Sequence, residues 1–256
     1  MLIIAGHTEG DSDNRDEAVA VMRDLVTRAR DVPGRLDVEI TADSVDQCGS
    51  RPQEVEVSAT VLYMSMSLDG FIAGPNEGPG NGLGDGGERL HDWLSGGEPG
   101  GPSGVPGRPS GVNGQVYDES MATGAVVAGR GTFEPAGGWG GDHHDGVPIF
   151  VLSRREPGID VGQWPLVCYV PDVRTAMTRA REAAGDKNVL VHGAATAQLA
   201  LEAGVLDELE IHLIPVLLGQ GRRLFENLGP EHIELERTRI LEGADGVTHL
   251  HYRVRR

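Results

Sequence analysis

Residues 189–204, VLVHGAATAQLALEAG, combine several local patterns that together indicate the fold class. The stretch begins as an apolar strand, passes through the polar and glycine positions 192–196, and continues as a helix. Before it, the strand candidates GAVVAG (124–129), VPIFVLS (147–153) and LVCYV (166–170) are followed by a further helical pattern. Strands that alternate with helices predict a mainly parallel sheet.

The C-terminal part of the chain adds antiparallel strands to this sheet. ELEIHLIPVL (208–217) reads as a strand, and HIELERTRIL (232–241) and GVTHLHYRVR (246–255) form a hairpin-like pair. We therefore predict an α/β domain whose mostly parallel central sheet is flanked by helices and carries antiparallel C-terminal strands. His249 and His251 share one face of the last strand, where exposure to solvent accounts for both.

The chain divides by pattern into three segments. Residues 1–46 predict a small βαβ element, 47–56 a polar linker, and 57–256 the main domain. Within the main domain, Gly and Pro dominate an insertion at 74–114, which is interrupted by the short helical candidate GERLHDWL (87–94). A loop of this length in a compact domain is usually either disordered or a functional lid.

The composition argues against several classes of partner. The chain holds 39 Asp and Glu against 22 Lys and Arg, and its formal net charge is −17. Such a charge repels nucleic-acid phosphates and anionic membranes, so we expect neither as a partner. Cys48 and Cys168 form neither a metal-spacing motif nor a disulfide framework, and the N-terminus has no signal-peptide pattern. We predict a cytoplasmic protein.

The residues that follow the predicted strands favour a phosphate-bearing ligand. In open α/β sheets, ligands bind outside the carboxyl ends of the parallel strands. Arg130-Gly131-Thr132, the pair Arg154 and Arg155, and the turn 192–196 each follow a strand candidate. Helix N-termini and planar guanidinium groups both suit phosphates. Three such strand ends in one sheet predict a dinucleotide site.

These ordered motifs also carry a family resemblance. MSLDGFIAG (66–74), AGRGTFE (128–134), FVLSRR (150–155) and LDELEIHLIPVLLGQGRRLF (206–225), with the stretch quoted first, resemble the dihydrofolate reductase-like superfamily. The resemblance covers roughly residues 58–256 and is closest to the reductase domain of the bifunctional deaminase-reductase of riboflavin biosynthesis. It implies NADPH binding, hydride transfer to a small heterocyclic, carbonyl or imine substrate, and a homodimer.

The resemblance assigns cofactor roles to individual residues. It implies that Gly129, Arg130 and Thr132 hold the phosphates, and that Ser153 and Arg154, supported by Arg155, contact the 2′-phosphate that distinguishes NADP from NAD. The turn under the pyrophosphate and nicotinamide would be formed by Gly193, Ala194, Ala195 and Thr196. Here the chain departs from the family, because Ala194 replaces a second glycine that would let the backbone approach the ligand.

The substrate side is assigned by the same resemblance and by residue type. Ser67 and Asp69 belong to the first-strand loop that closes over nicotinamide and substrate in the family. Trp93 and Trp139 are candidates for stacking on a planar substrate, although core or lid packing accounts for them equally well.

A reduction also needs a proton donor, for which Asp69 and Asp92 are the candidates. Asp92 lies on the short helix where dihydrofolate reductases keep their pterin-binding carboxylate. The simpler alternatives are that Asp69 is the Asp of an Asp-Gly turn and that Asp92 lies on a solvated helix face.

The segment Asp142-His143-His144-Asp145 has metal-capable side chains, but adjacent residues rarely converge on one ion. We therefore predict no metal site and interpret this segment as a substrate-side loop.

Three functions remain open. The first is an NADPH-dependent reductase similar to 5-amino-6-(5-phosphoribosylamino)uracil reductase or dihydrofolate reductase. The second is a nucleotide-binding protein without turnover. The third is a cofactor-free monooxygenase, because residues 1–46 weakly resemble the first half of a ferredoxin-like antibiotic-biosynthesis monooxygenase.

Overall fold

The structure is a computed structural model that describes residues 58–95 and 108–255. These residues belong to the second of the two units into which the chain divides, Val55–Arg256. The predicted βαβ element at 1–46 and the linker at 47–56 lie outside the described residues, as does part of the Gly/Pro-rich segment. The predictions for these segments therefore remain predictions.

Strands and helices alternate through the described residues. The strands are β1 (Thr60–Ser67), β2 (Phe71–Ala73), β3 (Ala125–Gly129), β4 (Ile149–Leu152), β5 (Val167–Val170), β6 (Val189–His192), β7 (Glu208–Ile214), β8 (Arg222–Arg223), β9 (Leu235–Glu242) and β10 (Thr248–Val254). The α-helices are α1 (Gly111–Met121), α2 (Arg130–Phe133), α3 (Val173–Ala184) and α4 (Ala194–Glu202), and short 3₁₀ helices span Gly87–Ser95, Gly137–Gly141 and Ala244–Gly246. Across the described ranges, no helix combines the length and apolar character needed to cross a membrane.

Eight strands form one sheet in the order β5-β4-β3-β6-β1-β7-β10-β9. The first six strands in this order, β5, β4, β3, β6, β1 and β7, pair in parallel, whereas β10 is antiparallel to both β7 and β9. A separate antiparallel pair joins β2 to β8. The predicted α/β architecture, with its mostly parallel centre and antiparallel C-terminal strands, is confirmed.

The two faces of the sheet bury different cores. Successive side chains of a strand point to opposite faces, so Leu62 and Met64 of β1 pack with the α3 and α4 residues Met177 and Ala197. Helix α3 contributes a buried stripe at helical spacing, and the side chain of Asp172 caps its first turn. On the other face, the 3₁₀ helix Gly87–Ser95 packs with α1 and β7 through a second group of buried side chains. This second face carries most of the polar residues considered below.

Candidate functional site

Two turns at the carboxyl end of the sheet are packed directly against each other. Gly193 connects β6 to α4 with a φ of +89°, and a Cβ there would lie 2.2 Å from Thr132 Oγ1. Conversely, a Cβ on Gly129 would lie 2.9 Å from Thr196 Oγ1. Only glycine fits both the backbone conformation and the space at position 193. The structure thus brings the predicted Gly129–Thr132 and Gly193–Thr196 turns together.

The start of α4 offers hydrogen-bond donors. Gly193 is the N-cap residue and supplies no side-chain cap, so the first N–H groups of this nine-residue helix are not satisfied by a capping side chain. Within the described part of the chain, the buried hydroxyl Thr196 Oγ1 has no hydrogen-bond partner. Ala194 is buried as the first helical residue. Free donors and the positive end of the helix dipole favour an anion here.

The paired arginines follow β4 in a turn held by Ser153. The Ser153 hydroxyl donates to the carbonyl oxygen of Arg155 at 2.8 Å and accepts the Arg155 N–H at 3.0 Å. Arg154 and Arg155 are exposed, and neither forms an ion pair with any other described residue. Arg130, by contrast, pairs with Glu134 at 3.2 Å. The two arginines of this turn are therefore available to an anionic ligand.

Asp69 connects two loops through its carboxylate. It accepts a hydrogen bond from the Ser67 hydroxyl at 2.6 Å and from the backbone N–H groups of Gly219 at 2.7 Å and Leu218 at 3.1 Å. The Ser67 hydrogen bond, followed by these backbone donors, lowers the pKa of Asp69 from 3.8 to about 2. An ionised carboxylate accepts protons poorly and has none to donate at neutral pH. This environment favours a positioning role for Asp69.

Asp92 and Trp93 are neighbours in sequence but lie in opposite environments. The Asp92 side chain is 54% exposed and pairs with Arg89 at 2.7 Å. Trp93 is only 2% exposed, and its indole Nε1 donates to Ser65 Oγ at 3.0 Å. Packing in the second core thus accounts for Trp93, and the solvated helix face accounts for Asp92.

Trp139 lies with histidines beside the Gly193 turn. Its ring centroid is 4.1 Å from that of His143 and 5.8 Å from that of His192, the last residue of β6. The His143 and His192 rings are 4.9 Å apart. Among the described residues, the buried His192 Nε2 has no hydrogen-bond partner. The segment 142–145 therefore borders the strand end that precedes the predicted nicotinamide turn.

The histidines of this cluster are uncharged at neutral pH. Burial, together with the neighbouring His144, lowers the pKa of His143 to about 3. Burial likewise lowers the pKa of His144 to about 4 and that of His192 well below its ordinary value. Residues 58–95 and 108–255 contain no group of three or more His, Cys, Asp or Glu side chains that could hold a metal ion. The cluster is best described as a polar, neutral wall.

The sequence analysis did not predict a buried row of polar side chains behind Trp93, formed by His212, His249 and Asn113. His212 Nδ1 lies 2.8 Å from His249 Nδ1, and His249 Nε2 lies 3.1 Å from Asn113 Oδ1. The expectation that His249 is exposed was wrong, because it is 2% exposed and lies directly opposite His212 in the β7–β10 register. The alternation of side chains along β10 correctly placed His249 and His251 on one face of the strand. The burial of His249 on that face depends on Trp93 and Asn113, which cover it.

Comparisons with known proteins agree with this fold. The chain belongs to the family described as the RibD C-terminal domain, whose profile matches residues 59–249. This confirms the resemblance to the C-terminal domain of the bifunctional riboflavin-biosynthesis protein. Family membership supports a reductase-type function and the oxidoreductase class. A search of curated proteins found no match.

Two solved structures with TM-scores of 0.57 and 0.50 share the fold at low sequence identity. A putative riboflavin biosynthesis protein from Shewanella sp. PV-4 is 23% identical over 77% of this chain and 99% of its own, with a TM-score of 0.57. The diaminohydroxyphosphoribosylaminopyrimidine deaminase/5-amino-6-(5-phosphoribosylamino)uracil reductase from Thermotoga maritima is 13% identical over 78% of this chain and 57% of its own, with a TM-score of 0.50. An Enterococcus faecalis dihydrofolate reductase complexed with NADP(H) has 16% identity and a TM-score of 0.48, covering 78% of this chain and 98% of its own.

Proposed function

We propose that this protein is an NADPH-dependent reductase of a small heterocyclic, carbonyl or imine substrate. The observation that carries the proposal is the position of Arg154 and Arg155. Both are exposed, neither has an ion-pair partner among the described residues, and their turn lies at the same end of the sheet as the uncapped start of α4. A dinucleotide phosphate ligand requires separate anion contacts of this kind. The family match supports the reductase class, and the specificity for NADPH rests on the arginines.

The residues at the carboxyl end of the sheet fit such a cofactor. Arg154, with Arg155 beside it, would bind the 2′-phosphate, and the start of α4 with Thr196 would donate hydrogen bonds to the pyrophosphate. Gly193 would leave the backbone surface free of a Cβ where the nicotinamide approaches. When bound, the nicotinamide supplies the hydride for the reduction.

The residues on the substrate side position the substrate and keep water away from it. Trp139 offers a flat surface next to His143 and His192, and the buried His192 Nε2, which has no hydrogen-bond partner among the described residues, would form a hydrogen bond with a substrate that reaches it. Asp69 and Ser67 hold the first-strand loop against Leu218 and Gly219. As proton donors, Asp92 and the protonated form of Asp69 stay proposals, and Trp93 and Ser67 stay proposals as substrate contacts.

A second candidate is a nucleotide-binding protein without turnover. It is favoured by the state of the two carboxylates, since Asp69 is held ionised and Asp92 is paired on a solvated surface. In this case NADPH would bind with the same preference but would not be oxidised with any pterin, pyrimidine or carbonyl compound. On the resemblance alone, we also propose a cytoplasmic homodimer that acts on a small molecule.

The test of the proposal is a fluorescence titration of the full chain with NADPH and with NADH. We expect NADPH to bind at least about tenfold more tightly, which is about 1.4 kcal/mol. Arg154→Ala should abolish that preference, whereas Arg237→Ala, an exposed arginine on β9 at the far edge of the sheet, should not. Absence of binding by both nucleotides would contradict the proposal. NADPH consumption with a substrate panel then separates the reductase from the binding protein.

A further inference from the structure

A cleft of about 560 Å³ opens on the second face of the sheet, at the amino-terminal halves of β1 and β7. It therefore lies at the opposite end of these strands from the turns that contain Gly129 and Gly193. Its walls include Tyr63 of β1, Glu210 of β7, His251 of β10 and Arg239 of β9. These four residues form a continuous row, because each lies opposite the next in the strand register.

Most of the charges in the cleft are already paired. Arg239 donates to both carboxylate oxygens of Glu119 on α1, at 3.0 and 2.5 Å. Glu208 lies 3.2 Å from His251 Nε2 and 3.9 Å from Arg253 Nε. The carboxylates that line the cleft thus outnumber its arginines, and Glu210 shares Arg239 with Glu119.

Glu210 is the unsatisfied group of this cleft. It is 7% exposed, and in the described part of the chain its Oε1 accepts no hydrogen bond. Its nearest cation is Arg239, 3.6 Å away and already bound to Glu119. The buried hydroxyl of Tyr63 on the neighbouring strand makes no hydrogen bond of ordinary length to a described residue, although the Ser120 hydroxyl, which donates to the Tyr117 carbonyl oxygen, lies near it. Burying polar groups without partners is costly, so both atoms point to a ligand that supplies hydrogen bonds.

We propose that this cleft binds a small organic cation through an ammonium or guanidinium group. The cation donates hydrogen bonds to Glu210 Oε1 and to the Tyr63 oxygen, and its charge balances the excess of carboxylates over arginines in the cleft. The volume of the cleft lies in the range typical of small-molecule sites. A bare metal ion is a poorer match, because the described residues hold no set of ligands that converges on one point. The site is independent of the proposed reductase function.

Burial raises the pKa of Glu210 to about 6, so the carboxylate is mostly ionised at neutral pH and available to a cation. Other charged or titratable groups facing it from the packed elements are Tyr63, Glu119, Glu208, Arg239, His251 and Arg253. The high pKa and the missing hydrogen bond have the same physical origin, which is a carboxylate held out of water without a donor.

The experiment is isothermal titration of the full chain with agmatine, which carries both a guanidinium and an ammonium group, at neutral pH and physiological salt. We expect a dissociation constant below about 1 mM. Glu210→Gln should weaken binding at least about tenfold, and Tyr63→Phe should weaken it less. Glu236→Gln is the matched control, because this glutamate lies on β9 outside the cleft and pairs with Arg255 at 3.6 Å. N-butylurea, a neutral probe of similar shape, should not bind.

Three results would overturn the proposal. The first is no binding of agmatine to the wild-type chain, and the second is equal binding by the Glu210→Gln and Glu236→Gln variants, which would indicate general attraction to an acidic surface. The third is a binding heat that depends on protein concentration, which would show that a second copy of the chain covers the cleft. If Glu210→Gln fails to fold, Tyr63→Phe and the urea probe still decide the outcome.

Discussion

Gly193 and Thr132 are in such close contact that position 193 has no room for a side chain. A Cβ there would lie 2.2 Å from Thr132 Oγ1, and the φ of +89° at Gly193 is itself unfavourable for any residue with a Cβ. The contact joins the turn after β3 to the turn after β6, although sixty-one positions separate the two residues. The candidate phosphate-binding edge therefore depends on this one close approach.

Gly193→Ala is expected to destabilise the domain. The strained backbone conformation alone costs about 1–3 kcal/mol, and displacement of Thr132 adds to that cost. Chemical denaturation followed by circular dichroism measures the change. Gly78→Ala is the control, since Gly78 has no positive φ and a Cβ there meets nothing within 4 Å. In the double variant Gly193→Ala/Thr132→Ala, relief of the contact should recover part of the lost stability, and no recovery would contradict the packing account.

Asp69→Asn should lower the thermal midpoint at neutral pH, with a loss that shrinks in acid. The folded-state pKa of Asp69 is depressed from 3.8 to about 2. Its ionised form therefore stabilises the native state above pH 3.8, and this contribution is lost as the pH falls through about 2. The measurement is a series of thermal melts across that acid range beside the exposed-site control Asp186→Asn. A constant difference at all pH values would show that ionisation of Asp69 is not what holds the two loops together.

Glu210→Gln should stabilise the empty protein at neutral pH. The folded-state pKa of Glu210 is raised from 4.5 to about 6, so the native state favours the protonated acid. Native stability consequently decreases as the pH rises from 4.5 to about 6, and at neutral pH the ionised, buried carboxylate costs about 2 kcal/mol. In denaturant titrations, the variant should have a higher free energy of unfolding than the wild-type chain at neutral pH and the same free energy of unfolding below pH 4.5. A variant that is less stable at neutral pH would refute the assignment of an unsatisfied carboxylate.

Trp93→Ala and Trp139→Ala should affect different properties. Trp93 is fully packed and donates a hydrogen bond to Ser65, so its truncation should cost about 3–5 kcal/mol of unfolding free energy. Trp139 is half-buried beside His143 and His192, so its truncation should cost less stability and weaken binding of a planar substrate. Denaturation and substrate titration on both variants distinguish the two roles. Similar losses of stability would mean that Trp139 is a core residue as well.

The fold was predictable because its signals are local. Apolar strands, the alternation of strands with helices, and the turn residues after β3, β4 and β6 each occupy short stretches of chain, and the structure agrees with the architecture they predict. The strand ends also predicted the Gly129 and Gly193 turns, which do meet. The exposure of Asp92 and the burial of Trp93 were not predictable, because adjacent residues of a 3₁₀ helix point in directions about a third of a turn apart and the sequence leaves open which direction is covered.

Local patterns were enough to predict the order of the elements, the parallel sheet and the residues at its carboxyl end, since each depends on periodicity and on turn chemistry within a few positions. Which polar side chains are buried away from water depends instead on long-range packing, which local patterns do not reveal. His212 and His249 are buried because Trp93 covers them, and Glu210 is left without a donor because Arg239 is already bound to Glu119 on α1. Burial and pairing depend on neighbours distant in sequence, and those neighbours are what set the pKa of a carboxylate or imidazole.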